Sequence, residues 1–300
     1  MTLHVSDAEV RRLLGLEPLI AAVREALIDL SAGRVVQPLR SVLELPDHGV
    51  LFLKPALAGG MLATKLITQI PGNAGRGLPT MQATILLMDA ATGRTLAVID
   101  ATWLTALRTA AASAVAVDCL TPRSPKIVAL LGSGVLARTH AAALRAVRPV
   151  SEVRVWSRNP DNVAKCAADV KGVACSNPQE ATWNADIVCT VTTAREPVLK
   201  GAWLRRGALV CAVGAPRPTW RELDDEAMAN VLVADSYEAA AQESGDVILS
   251  GASVSAELGE ILAGTRPPPA AGSTIVFKSL GQAVVDAAAA RLVYRAASKV

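Results

Sequence analysis

The stretch LLGSGVLARTH, residues 130–140, decides how this chain is to be read. It follows KIVA, an apolar run rich in β-branched residues, and leads into AAALRAV, whose apolar positions recur at helical spacing. A strand, a glycine turn and a helix in that order form the entry to a dinucleotide-binding fold. Gly132 permits the tight turn, Gly134 lets backbone approach a pyrophosphate, and a helix starting near Val135 aims its first amides at that anion. Ala137 stands where a third glycine is usual, so the spacing alone is weak and the context carries the reading. That context is EVRVWSRN, residues 152–159, a second strand that completes a βαβ unit of roughly thirty residues.

Working outward, DIVCTVTT (186–193), ALVCAVGA (208–215) and NVLVADS (230–236) are further short apolar strands, as a doubly wound parallel sheet requires. On the amino-terminal side, VSDAEVRRLL places Ser6 three residues before Glu9, the spacing of a capping box, and the following helical pattern runs until Gly33. Two helices are expected to begin the protein. Between Val35 and Val98 the texture changes to β-like runs separated by Pro, Gly and Asn, which predicts a hairpin-rich sheet. ATWLTALRTAAASAVAVDCL (101–120) reads as a long helix, ended by the two prolines of TPRSPK, and SLGQAVVDAAAARLVYRAAS (279–298) as a terminal one. The fold class is therefore α/β: a Rossmann-type doubly wound parallel sheet with a second, α+β domain.

Composition narrows the function. The 300 residues are 51% hydrophobic and 3% aromatic, with a formal charge of +3 spread without a basic block, which argues against nucleic-acid or membrane partners and for a small ligand. The five cysteines form no C-x-x-C pair and suit a reducing compartment; the three histidines, His4, His48 and His140, are scattered, so no metal is suggested. The opening MTLHVSDAEV lacks the apolar run of a signal peptide, and no window shows about 18 uninterrupted apolar residues, so a cytoplasmic protein is expected.

The second strand also bears on which dinucleotide binds. An NAD site usually places Asp or Glu at its end for the ribose hydroxyls, whereas Ser157, Arg158 and Asn159 offer a hydroxyl, a guanidinium and an amide with no carboxylate to repel a phosphate. NADPH is expected, with NADH also possible. For chemistry, Lys65 interrupts the apolar strand LATKL and Arg108 the apolar helix LTALRTAA, positions where a cation is costly unless it meets an anion. Arg40 and Thr80 complete the candidate set, while Lys54 in LFLKPA reads as a structural cation.

From about Val5 to Ala290 the chain resembles the ornithine cyclodeaminase and mu-crystallin family, through PGNAGRGLPT, LLMDAATGRTLAVID, LTALRTAAASA, GSGVLA, RELDDE, ESGDVILSG and FKSLGQAVVDAAAA. The resemblance implies a homodimer, with residues 1–120 and 282–300 forming a substrate-binding and dimerisation domain and residues 121–281 the NADP-binding Rossmann domain. It implies that Arg40, Lys65 and Arg108 hold a substrate carboxylate, Lys65 also moving a proton and Arg108 lying near the nucleotide phosphates, with Thr80 beside the substrate. It further implies that Gly132, Ser133, Gly134, Val135 and Leu136, then Thr190, Thr192, Val213, Gly214 and Ser279, line the cofactor. Cyclodeaminases of the family carry an aspartate for the distal amine where this chain has Pro216, which can neither accept a hydrogen bond through its side chain nor take a proton. The expected activity is therefore reduction of the cyclic ketimines Δ1-pyrroline-2-carboxylate and Δ1-piperideine-2-carboxylate to L-proline and L-pipecolate. An alanine or imino-acid dehydrogenase, an ornithine cyclodeaminase and a non-catalytic NADPH-dependent binding protein are the alternatives.

Overall fold

The computed structural model describes residues 2–124 and 126–299 and divides into two compact units, Met1–Arg108 with Gly281–Val300, and Thr109–Leu280. The division falls inside the helix Thr102–Leu120, and Pro125 of the TPRSPK segment lies outside the described residues. That helix is long and apolar enough to cross a membrane, with a mean hydropathy of 1.2, although threonine, serine and arginine interrupt its apolar run. Most of it is buried within the protein, as in the core helix of a globular fold.

The first unit is built on a six-stranded sheet. Its strands are β1 (Leu3–Val5), β2 (Ser41–Glu44), β3 (Val50–Ala58), β4 (Met61–Gln69), β5 (Met81–Asp89) and β6 (Thr95–Asp100), in the order β1-β6-β5-β4-β3-β2. All neighbours are antiparallel except β1 with β6, so a short strand precedes the two helices expected at the amino terminus. The Ser6 capping box is present: Glu9 Oε2 accepts from the Ser6 amide while Ser6 Oγ accepts from Glu9 N. Gly33 follows the helix Leu16–Ser31 at φ +69°, a left-handed conformation that glycine adopts without a Cβ penalty.

Burial alternates along β3, β4 and β5, so Phe52, Lys54, Ala56, Ala63, Lys65, Ile67, Ala83, Ile85 and Leu87 share the inner face. Against that face lies the helix Ala283–Ala297, whose alanines allow its backbone to come close to β3 and β4. Returning the carboxyl-terminal helix to an amino-terminal sheet is what brings residue 286 beside residue 65.

The second unit is an eight-stranded, wholly parallel sheet. It comprises β7 (Lys126–Leu131), β8 (Val150–Trp156), β9 (Val173–Ala174), β10 (Ile187–Thr190), β11 (Leu209–Ala212), β12 (Val231–Ala234), β13 (Ala256–Glu257) and β14 (Ile275–Lys278). The order β13-β12-β14-β11-β10-β7-β8-β9 reverses direction between β7 and β10, the switch point where doubly wound sheets bind ligands beyond their strand ends. β14, unread as a strand in the sequence, inserts between β11 and β12 because IVFK is fully buried on both faces. On the helix Val135–Val147, Ala137 and Leu144 are fully buried, and burial of the leucine alone contributes about 2 kcal/mol.

Candidate active site

The inner face of the first sheet carries charge where a core would ordinarily be apolar. Lys54 and Lys65 are paired directly across the β3–β4 ladder, both buried. Lys65 Nζ lies 2.7 Å from Asp286 Oδ1, and Arg108 Nε approaches the same oxygen at 2.7 Å. Lys54 Nζ donates to the carbonyl of Gly281 at the start of the segment that leads into the helix of Asp286. The Arg40 guanidinium sits over the Phe52 ring, 5.7 Å from its centroid.

Desolvation governs the protonation of this cluster. Burial, followed by the repulsion of Arg40 and Lys65, pushes the Lys54 ammonium well below its ordinary range. Burial and then Arg108 bring Lys65 down to about 7, against the opposing attraction of Asp286. Burial raises the Asp286 carboxyl, but Arg108, Lys65 and Lys54 together outweigh it and hold the group below the usual carboxylate range. An amine poised near neutrality beside a fixed carboxylate can deliver or collect a proton. An excess of cations around that carboxylate suits an anionic ligand.

The structure thus brings Lys65 and Arg108 together at Asp286, with Arg40 acting electrostatically on both lysines. It also brings in Lys54, whose sequence reading was structural, and Asp286, which the sequence reading passed over. The signal for Asp286 was available: a lone acid in VVDAAAA is as anomalous as Lys65 in its strand. Thr80 is exposed, its carbonyl accepting from the Ile70 amide at 2.8 Å, and it stands apart from the buried cluster.

In the second unit the turn after β7 has the form that a dinucleotide needs. Gly132 adopts φ +130° and a Cβ there would lie 2.8 Å from the Val191 side chain, so only glycine fits. At Gly134, which caps the helix Val135–Val147, a Cβ would meet nothing within 4 Å, leaving open space before the helix's first amides. Arg138 braces the turn by donating to the carbonyls of Ser133 and Gly134 and pairing with Asp169. Val135 is exposed, Leu136 is half-buried, and Ala137 is fully buried under the helix. Ser133 and Ser157 meet at 2.7 Å between their hydroxyl oxygens, Arg158 is exposed, and Asn159 caps the next helix by accepting from the Asn162 amide. An open amide-lined cradle flanked by hydroxyls and an exposed guanidinium fits the pyrophosphate and ribose of a nicotinamide dinucleotide.

Beyond the neighbouring strand ends lies a buried ionic network. Glu222 Oε2 accepts from Thr190 Oγ1 at 2.8 Å, and its Oε1 accepts from the Thr192 amide at 2.7 Å and from Thr192 Oγ1 at 2.6 Å. Lys278 Nζ pairs with Asp246 at 2.8 Å and donates to the Gly214 carbonyl, while Asp246 Oδ1 accepts from the amides of Glu222 and Leu223. Burial pushes the Glu222 carboxyl up, with Lys278 opposing and Asp246 adding to the rise. The hydroxyls of Thr190 and Thr192 are thus committed to Glu222. Val213, Gly214 and Ser279 are buried at the ends of β11 and β14, and a Cβ at Gly214 would lie 2.4 Å from the Glu222 carboxyl. Asp224 caps the helix Asp225–Met228, and Asp225 lies in its first turn, where a carboxylate complements the helix dipole.

Comparison with known proteins gives the same picture along the whole chain. The sequence profile of the ornithine cyclodeaminase/mu-crystallin family matches residues 2–300. The chain is 46% identical over 285 residues to the ketimine reductase mu-crystallin of Mus musculus, covering 92% of this chain and 91% of that one. Its structure superposes with a TM-score of 0.94 on Thermococcus litoralis Δ1-pyrroline-2-carboxylate reductase in complex with NADH and L-proline, at 35% identity, covering 99% of this chain and 98% of the other. An archaeal alanine dehydrogenase dimer with bound NAD gives a TM-score of 0.93 at 31% identity, covering 99% and 96%.

Proposed function

This chain belongs to the ornithine cyclodeaminase/mu-crystallin family, and we propose that it is a nicotinamide-dependent reductase of cyclic ketimines, NADPH being the preferred donor. Δ1-Pyrroline-2-carboxylate would yield L-proline, and Δ1-piperideine-2-carboxylate L-pipecolate. The observation that carries the reading is the buried cluster of Lys65, Arg108 and Asp286. It offers cations for one carboxylate and a titratable amine for one proton, which is what an α-imino acid requires.

In this reading Arg40, Lys65 and Arg108 orient the substrate carboxylate, and restricting it in this way contributes rate through positioning. Lys54, paired across the ladder from Lys65, shares its desolvated site. The bound cofactor supplies a hydride to C2 of the imine. Gly132 to Leu136 would cradle the pyrophosphate, and Ser157 with Arg158 and Asn159 would meet the additional phosphate of NADPH. The loops after β10, β11 and β14, held in place by Glu222 and Lys278, would support the rest of the dinucleotide. Thr80, itself exposed, would complete the set on the substrate side. Pro216 leaves that position with no side-chain carboxylate for a distal amine, which favours a cyclic imine over ornithine.

A homodimer accords with the outer face of the first sheet, where Leu43, Leu57 and Leu66 are exposed on the side opposite Lys65. The five cysteines, all free thiols, accord with a cytoplasmic setting.

The test is a spectrophotometric assay of the purified protein with NADPH and Δ1-piperideine-2-carboxylate, with NADH, pyruvate plus ammonia, and ornithine in parallel. Rapid NADPH oxidation with the cyclic imine is expected. Turnover of pyruvate and ammonia without the imine would replace the reading by an alanine dehydrogenase, and ammonia release from ornithine by a cyclodeaminase. Binding without turnover in any arm would leave a small-ligand-binding protein.

A further inference from the structure

We propose that Asp286 is a catalytic residue of this reduction: its second carboxylate oxygen, Oδ2, accepts the N–H of the protonated cyclic imine, while Arg108 Nη1 takes an oxygen of the same molecule's carboxylate. The inference rests on the ketimine reductase reading and names the group that recognises the imine nitrogen.

Asp286 and Arg108 each carry an orphaned terminal atom. Lys65 Nζ donates to Asp286 Oδ1 at 2.7 Å and Arg108 Nε makes an ion-pair contact with the same oxygen at 2.7 Å, while Asp286 Oδ2 and, besides Nε, Arg108 Nη1 are buried without a hydrogen bond among the described residues. Both side chains are at least nine-tenths buried, with residue exposures of 1% for Asp286 and 5% for Arg108. Buried polar atoms in native proteins are paired in the great majority of cases, so each exception needs a partner that the folded chain does not supply. Here one exception is an acceptor and the other a donor, on two side chains that touch each other. The complementary ligand carries a donor and an acceptor on adjoining groups. A 2-imino acid has that arrangement, since the ring N–H and the carboxylate are both attached to C2.

The surroundings hold this pair in place. A Cβ at Gly281 would lie 2.4 Å from Arg108 Nη1, so bare backbone at that position leaves room for the guanidinium. Gly281 also has φ +71° and accepts from Lys54, which ties the start of the Asp286 helix to β3. Electrostatics adds a second reason. A protonated imine entering a site that already holds Lys54, Lys65, Arg108 and the field of Arg40 would be repelled without a fixed carboxylate at its nitrogen.

The chemistry balances. Hydride forms the new C–H bond at C2, the C=N π pair withdraws onto nitrogen, and the cofactor is oxidised by two electrons. The N–H held by Asp286 stays on nitrogen throughout. The lone pair so created takes its proton from Lys65 Nζ, and the neutral amine of Lys65 recovers one from solvent. Asp286 itself neither gains nor loses a proton; it keeps the imine in its electrophilic, protonated form and fixes which side of the ring faces Lys65.

Two planar rings isolate the contact: pyrrole-2-carboxylate, whose N–H donates, and furan-2-carboxylate, whose ring oxygen cannot. Their dissociation constants are measured calorimetrically on the wild-type protein and on Asp286→Asn, each saturated with NADP+, alongside turnover of Δ1-piperideine-2-carboxylate. The wild type is expected to prefer pyrrole at least tenfold, and Asp286→Asn, whose amide can present either an acceptor or a donor, to bring the two within threefold. Equal binding of both rings by a wild type that turns over the imine overturns the Asp286 assignment and leaves the reductase reading standing. A preference that survives in Asp286→Asn overturns it as well. Absence of both binding and turnover overturns the assignment together with the reading on which it rests. The wild-type comparison decides the matter even if the variant fails to fold.

Discussion

Lys54 and Lys65 face each other across the β3–β4 ladder, both buried and both depressed in pKa, so two potential ammonium groups share one desolvated site. An arrangement of this kind makes ligand binding and proton binding inseparable. A carboxylate ligand adds negative charge and raises Lys65 above its ligand-free value of about 7. Binding of pyrrole-2-carboxylate at pH 8 should therefore take up protons, read as a dependence of the calorimetric enthalpy on the buffer's ionisation heat. No dependence on buffer would show that the lysines are already protonated without ligand.

Lys65→Met preserves the length of the chain in the strand and removes the proton. Turnover with the cyclic imine should fall by roughly 10²–10⁴-fold, the range for loss of a positioned acid or base. The dissociation constant for NADPH, measured by fluorescence titration, should stay within about twofold, because the residues proposed to cradle the dinucleotide belong to the other unit. Retained turnover would remove Lys65 from the proton transfer.

On the proposed reading, Arg158 at the end of β8 meets the additional phosphate of NADPH. Arg158→Ala should raise the KM for NADPH by roughly 10–100-fold, corresponding to one lost charge-assisted hydrogen bond, and leave the KM for NADH unchanged. Parallel losses with both cofactors would place Arg158 outside the phosphate site.

Glu222→Ala leaves Thr190 Oγ1, the Thr192 amide and Thr192 Oγ1 without their acceptor. Unpaired buried donors cost about 1–3 kcal/mol each, part of which the hydroxyls recover by rotating. The expected outcome is a loss of about 2–4 kcal/mol in chemical denaturation, accompanied by weaker dinucleotide binding. Unchanged stability would mean that water replaces the carboxylate.

His140 is fully buried, with Nε2 3.0 Å from Ser113 Oγ and Nδ1 2.7 Å from the Leu136 carbonyl, and burial lowers its pKa to about 4. Between the unfolded value of about 6.5 and the folded value the unfolded chain binds the extra proton, so stability must fall as pH drops through that window. Denaturation at pH 7.5 and pH 4.5 should differ by about 2–3 kcal/mol more in the wild type than in His140→Asn. An equal difference in both proteins would show that other groups carry the acid sensitivity.

What the sequence determined by itself was everything that depends on neighbours along the chain. The strand, turn and helix around Gly132 and Gly134, the Ser6 capping box, the stop at Gly33 and the alternation of β3 to β5 are local consequences of backbone sterics and periodicity. The costly cations Lys65 and Arg108 were visible for the same reason, since a charge inside an apolar run is anomalous whatever it meets. Which anion they meet is not a local property. Lys65 and Asp286 are 221 residues apart and become partners only because the last helix packs back on the first sheet. Lys54 could not be distinguished from a snorkelling surface lysine until strand register set it opposite Lys65. In the second unit, Glu222, Asp246 and Lys278 come from three separate segments that meet only through the strand order placing β14 beside β11. Tertiary structure decided these pairings because an ion pair stabilises or costs according to the burial and geometry of both partners together, and a linear sequence shows each partner alone.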